Sequence, residues 1–129
     1  MTQLLIFPDV EALAVQALNA EFVTRMPGVK WSTKVPNPRP DKFGRLMRSG
    51  GPRETLITEN ASLIVEGWAA QEADAIAILN LARAILFEQD GTLFGVTETG
   101  GPTNLPDPTT SQVRYTALLG VRVRGTVTA

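Results

Sequence analysis

From Gln112 to Val127 the sequence alternates cleanly, with Val113, Tyr115, Ala117, Leu119, Val121 and Val123 on one face and Arg114, Thr116, Arg122 and Arg124 on the other. A period of two over that span demands an extended chain with one face in a core. It is long for a single strand, which typically runs to about five or six residues. A bulge at Gly120, a break, or pairing beyond the subunit is therefore expected, and other strands complete the sheet.

Those strands are expected upstream. Val29, Trp31, Thr33 and Val35 share one face, with Lys30, Ser32 and Lys34 on the other. Pro36, Pro38 and Pro40 end this strand at a Pro-Arg-Pro corner, because each removes a backbone donor and restricts its predecessor. A strand resumes over Phe43 to Arg48, and Ser49-Gly50-Gly51-Pro52 is the expected turn. Ser62 to Trp68 follows as a third strand, with Arg53 to Asn60 extending it or forming the far side of the hairpin. Thr92 to Val96 is a short strand, and the glycine- and proline-rich stretch 97–111 is expected to be a long irregular connection.

Two helices complete the pattern. Pro8 and Asp9 open the first, where Val10, Leu13, Ala14, Ala17 and Leu18 fall at helical spacing and Glu11, Gln16, Asn19 and Glu21 lie opposite. Pro27 and Gly28 stop it after Met26. The second spans Gln71 to Phe87, with Ala75, Ile78, Leu79, Ala82, Ile85 and Leu86 on its apolar stripe. The expectation is a single α+β domain over residues 1–129. An antiparallel or mixed sheet of about four to five strands packs on two helices in the order α-β-β-β-α-β(-β), with extended loops near 36–42, 49–53 and 97–111.

Composition narrows the chemistry. The chain has no cysteine and no histidine, so disulfides, thiolate metal sites and the commonest general base are absent. Twelve basic against thirteen acidic residues leave a net charge of −1, which disfavours tight binding to nucleic acid. Glu72 with Asp74, and Glu88 with Asp90, are better explained by helix-end electrostatics than by acid–base catalysis. Gly91 to Gly95 lacks the lysine and hydroxyl residue of a phosphate-binding loop. Lys30, Lys34 and Lys42 are the only lysines available to activate a hydroxyl nucleophile, and all three fall at solvated positions. The reading is of a non-enzyme without cofactor or metal. No apolar run reaches the ~20 residues of a membrane span, and Met1 to Phe7 has no basic flank of a secretory signal, so a cytoplasmic start is expected.

Nine of the twelve basic residues are arginines, the better choice for bidentate interface pairs. Arg39, Arg45, Arg48 and Arg53 cluster around the expected hairpin, and Arg114, Arg122 and Arg124 share a face of the last strand. One reading is an ordinary polar sheet face. The sharper one is a subunit interface in which Arg39, Arg45, Arg48, Arg53, Arg122 and Arg124 meet carboxylates such as Glu54, Glu59 or Glu66 of a neighbouring copy.

The order of elements also resembles that of tail terminator proteins of long-tailed, siphovirus-type actinobacterial phages. The residues that carry the resemblance are Phe7 to Leu13, Pro27-Gly28-Val29, Val35-Pro36 with Arg39-Pro40 and Phe43, Arg48 to Gly51, and Val65 to Ala69. The resemblance implies a virion structural protein, assembled in the host cytoplasm and located at the tail–head neck. It implies a ring of identical subunits, expected to be a hexamer, on the head-proximal end of the tail tube. The ring would stop polymerisation of the major tail tube protein and offer a docking face to the head connector or stopper protein. Genomic DNA would pass through its lumen without sequence-specific binding. The alternatives are another neck component, such as a head-closure or adaptor protein, or a small module that binds a ligand or nucleic acid.

Overall fold

A computed structural model describes residues 3–128. Two strands at the ends of the chain, β1 (Leu5–Ile6) and β7 (Thr126–Val127), pair antiparallel into a small ribbon. The remaining strands, β2 (Trp31–Ser32), β3 (Phe43–Arg48), β4 (Thr58–Ala69), β5 (Leu93–Asn104) and β6 (Val113–Arg124), form one sheet in the order β2-β3-β4-β6-β5. Only the β2–β3 pair is parallel. Helices α1 (Val10–Arg25) and α2 (Glu72–Phe87) cover one face of the sheet. The fold is α+β, as the alternation and helical spacing predict.

The long alternating segment finds its partner inside the chain. β6 pairs with β4 over twelve consecutive rungs, from Thr58↔Arg124 to Ala69↔Val113. Its odd-numbered face, from Ala117 to Val123, is buried under the helices beside Ala61, Leu63 and Val65 of β4. Fully burying each of the larger apolar side chains contributes about 1.5–3 kcal/mol. β6 ends at Gly125, where a side chain would collide with Leu5, and the irregularities expected at Gly120 lie instead on its neighbour β5.

Helix α1 is capped by Asp9, whose carboxylate accepts the Ala12 N–H at 3.1 Å. Val10, Ala14, Leu18 and Phe22 form its buried stripe. α2 packs directly on Gly67 of β4, where a β-carbon would lie 2.5 Å from the Ala75 carbonyl oxygen. Glycine is required there by space and not by backbone angle.

Three expectations are corrected. The strand expected from Val29 to Val35 contracts to Trp31–Ser32, with Thr33 exposed. The Gly50-Gly51 pair is not the hairpin turn: Ser49 N–H and Pro52 C=O still bond to the β4 side, and the reversal comes at Glu54 to Thr58. Both glycines have positive φ and let the strand kink, and a side chain at Gly51 would run into the Asn60 carbonyl. Finally, the expected 97–111 loop is half strand, because β5 runs on to Asn104 through three register shifts against β6. Glycine and proline mark these irregularities as readily as they mark a loop, so composition could not separate the two.

Polar residues of α1 close the β2 side of the sheet. Trp31 N–H donates to Asn19 Oδ1 at 2.8 Å, and Asn19 Nδ2 donates to Trp31 C=O at 3.0 Å, so one amide side chain occupies the outer backbone groups of the edge strand. Glu11, eight residues earlier on the same helix flank, accepts the Arg48 N–H at 2.7 Å. Asn19→Ala leaves two partly buried backbone groups unpaired and should cost about 2 kcal/mol. A urea unfolding midpoint checks this, with Gln16→Ala on the exposed side of α1 as the neutral control.

Candidate functional site: the open face of the sheet

The even-numbered residues of β4 and β6 face away from both helices. Reading along the rungs, Trp68 sits beside Arg114, Glu66 beside Thr116, Ile64 beside Leu118, Ser62 beside Gly120, and Asn60 beside Arg122. From β3, Phe43, Arg45 and Met47 join the first three of these. The face is therefore banded, with a charged and aromatic end, an apolar centre and a second charged end.

The first end is covered. Trp68, 2% exposed, stacks on Phe43 at 5.2 Å between ring centroids, and the guanidinium carbons of Arg39, Arg45 and Arg114 lie 5.3, 5.7 and 5.1 Å from its ring centroid. Cations over an indole face are attracted by its quadrupole. Glu66 is buried beneath them. One of its carboxylate oxygens accepts from Arg45 Nε at 2.7 Å and from Trp68 Nε1 at 3.1 Å, and Arg114 lies 4.0 Å from the other. A carboxylate in that position is tolerable because it is paired and hydrogen-bonded.

Arg39 draws two loops across this cluster. Its guanidinium donates to Asp107 at 2.7 Å and to Thr110 and Gln112 at 3.3 Å, while Gln112 donates to the carbonyls of Pro40 and Asp41. The Thr110 hydroxyl first, and then Arg39, hold the Asp107 carboxyl below the usual carboxylate range. A lowered carboxyl stabilises this latch above its ordinary titration range, and the contribution is lost only as pH falls through the lower folded value.

At the other end Arg122 makes a two-pronged pair with Glu54, at 2.8 and 3.2 Å, and also donates to the Gly95 carbonyl. Hydrogen bonding to Arg122 lowers the Glu54 carboxyl, and the same contact raises the Arg122 guanidinium. Between the ends, Met47, Ile64 and Leu118 are cross-strand neighbours with no helix over them, and Leu118 is 40% exposed.

The expected arginine–carboxylate pairs thus exist, but they join residues of one chain. Glu66 meets Arg45, Glu59 meets Arg48 at 2.7 Å, and Glu54 meets Arg122. The sheet brings each of these carboxylates within reach of an arginine of its own chain. Arg39 and Arg45 belong to the Trp68 cluster and Arg122 to the far end of the same face. Arg48 is elsewhere, on the helix side, where it donates to the carbonyls of Gly50 and Gly51 and holds the kink. Arg53 lies over the Phe7 ring at 5.0 Å, and Arg124 over Phe94 at 4.0 Å while donating to the Gly91 carbonyl.

The consequence is testable with two variants. Arg48→Ala should lower stability by about 2–3 kcal/mol, since it strips partners from two carbonyls and Glu59. Arg53→Ala should stay within about 1 kcal/mol of the parent, as expected for an exposed cation–π contact. Thermal unfolding of both separates the fold-holding arginine from the surface one.

Sequence reasoning missed Glu66 with Trp68 as a buried pair, and missed Met47, Ile64 and Leu118 as a strip. The signal for the latter lay in Leu118, an apolar residue on the arginine-bearing face of the last strand. No protein-family model matches the chain, and no curated protein matches it. Among the described residues no group of three or more acidic side chains is placed to hold a metal ion, and no helix is long and apolar enough to cross a membrane.

Proposed function

We propose that the chain is a structural assembly subunit that caps the head-proximal end of a phage tail tube as a homo-oligomeric ring, a hexamer, ending tube growth and presenting a docking face to the head connector. The observation that supports it most directly is the open sheet face, where Met47, Ile64 and Leu118 form an apolar strip between the Arg45–Glu66 and Arg122–Glu54 pairs. An apolar centre with a charged, hydrogen-bonded surround is the usual anatomy of a protein interface. The internal ion pairs suit such a role, because guanidiniums already held in place lose little side-chain entropy when a neighbour docks.

On this reading Arg45 and Arg122 flank the contact, with Arg39 behind them and Glu54 and Arg124 at its far margin, while Arg53 lies on the opposite side of the sheet, across from Glu59. Arg48 supports the fold beneath. The partners are further copies of this chain, the tail tube protein and the connector or stopper protein. DNA crosses the lumen without sequence-specific contact, and the chain acts without cofactor or catalysis.

The test is electron microscopy of particles assembled without this protein. Overlong tails support the terminator reading, because an uncapped tube keeps growing. Tails of normal length that lack heads would assign the chain to another neck position, such as head closure, and a monomer that binds DNA tightly at physiological salt would overturn the assembly role altogether.

A further inference from the structure

Every arginine of the described chain is engaged within the fold. Seven of the nine, including Arg25 and Arg83, lie within ion-pair distance of a carboxylate, and Arg53 and Arg124 lie on phenylalanine rings. The lysines differ. Lys42 reaches Asp74 only at 3.6 Å, and Lys30 and Lys34, both exposed, form no ion pair among the described residues. All three lysines of the chain line one groove of about 620 Å³ at the β2 edge, together with Trp31, Pro40 and Phe43. Even with Asp74 and the adjacent Asp41 counted, the charge there is positive, while the chain as a whole is at −1.

The groove's walls are mainly carbon, and its size is that of a cleft able to hold a few side chains. Trp31 carries a further feature: its indole Nε1, in a residue only 3% exposed, has no hydrogen-bond partner among the described residues. Asn19 occupies the backbone edge of Trp31, so an incoming segment cannot extend the sheet at that point and must be held through side chains.

We infer that this groove docks an acidic, extended segment of a partner protein, with an aliphatic or aromatic side chain seated against Trp31, Pro40 and Phe43 and flanking carboxylates facing Lys30 and Lys34. Apolar walls alone would accept many segments. The unengaged lysines select acidic ones, because each gains a partner on binding and none must first break an internal pair. The inference does not depend on the tube-capping role, since the groove lies at the β2 edge and meets the open face only at Pro40 and Phe43.

The probe is a short blocked peptide with a central leucine flanked by glutamate and aspartate, titrated into the intact protein and followed in assigned NMR spectra. Shifts should be confined to residues 28–43, including the Trp31 indole N–H, and should weaken as salt is raised. Lys30→Gln with Lys34→Gln should reduce affinity by roughly tenfold while leaving the thermal midpoint unchanged. Equal binding of the Gln/Asn counterpart, shifts centred elsewhere, or no shift at peptide concentrations on the order of 1 mM would overturn the inference. So would tighter binding of a single-stranded DNA oligonucleotide by the same lysines.

Discussion

Replacing Glu66 by alanine should destabilise the protein by about 3–5 kcal/mol, the scale expected when one member of a buried ion pair is removed. Arg45 loses its 2.7 Å partner, Trp68 Nε1 loses its acceptor, and Arg114 loses the nearest opposite charge. Three guanidiniums would then crowd the Trp68 ring with no carboxylate beneath them. Removing both charges is a different matter. Arg45→Met with Glu66→Leu should recover most of the loss, because neither desolvated charge remains and the volume stays filled. A double-mutant cycle read by urea unfolding measures the coupling, and a coupling below about 0.5 kcal/mol would mean that the pair is incidental to the cluster.

Leu118→Glu should abolish assembly without unfolding the subunit. Leu118 is the most exposed member of the Met47, Ile64 and Leu118 strip, so its own contribution to the fold is small and the change should cost less than about 1 kcal/mol. At an interface the same change buries a carboxylate against apolar neighbours, which is worth several kcal/mol against association. On the tube-capping proposal, complementation with this variant should give overlong tails. Circular dichroism and thermal unfolding should match the parent. Normal tails from the variant would remove the open face from the assembly contact.

Much of the fold was legible because it rests on local periodicity. The β3 boundaries follow from the prolines before it and the Ser49-Gly50-Gly51-Pro52 stretch after it, and the apolar faces of both helices and of β6 follow from spacing, since a residue's side in a strand or helix is set by its number. What spacing cannot say is which elements meet. The alternation of Gln112 to Val127 left a bulge, a break or pairing beyond the subunit open, and only the tertiary pairing identified β4, with its twelve rungs, as the partner. Glu11 and Asn19 show the same gap from the helix side. They look like residues of a wet face, yet the packing angle of α1 brings both against strand edges, where they bond backbone groups.

The candidate site divides similarly. An excess of arginine over lysine and the absence of cysteine and histidine are properties of composition, and they remain as the sequence states them. Whether an arginine faces a neighbour, a carboxylate of its own chain or an aromatic ring depends on register. Arg122 and Glu54 are far apart along the chain and meet only because the hairpin tip folds over β6. Periodicity and composition account for both helices, for β3 and β6 and for the chemistry available. The ion-pair partners, the kink at Gly50-Gly51 and the open apolar strip arise only once the strands are paired. The physical reason is that periodicity is a short-range property of the backbone, whereas partner choice depends on strand pairing between residues distant in sequence.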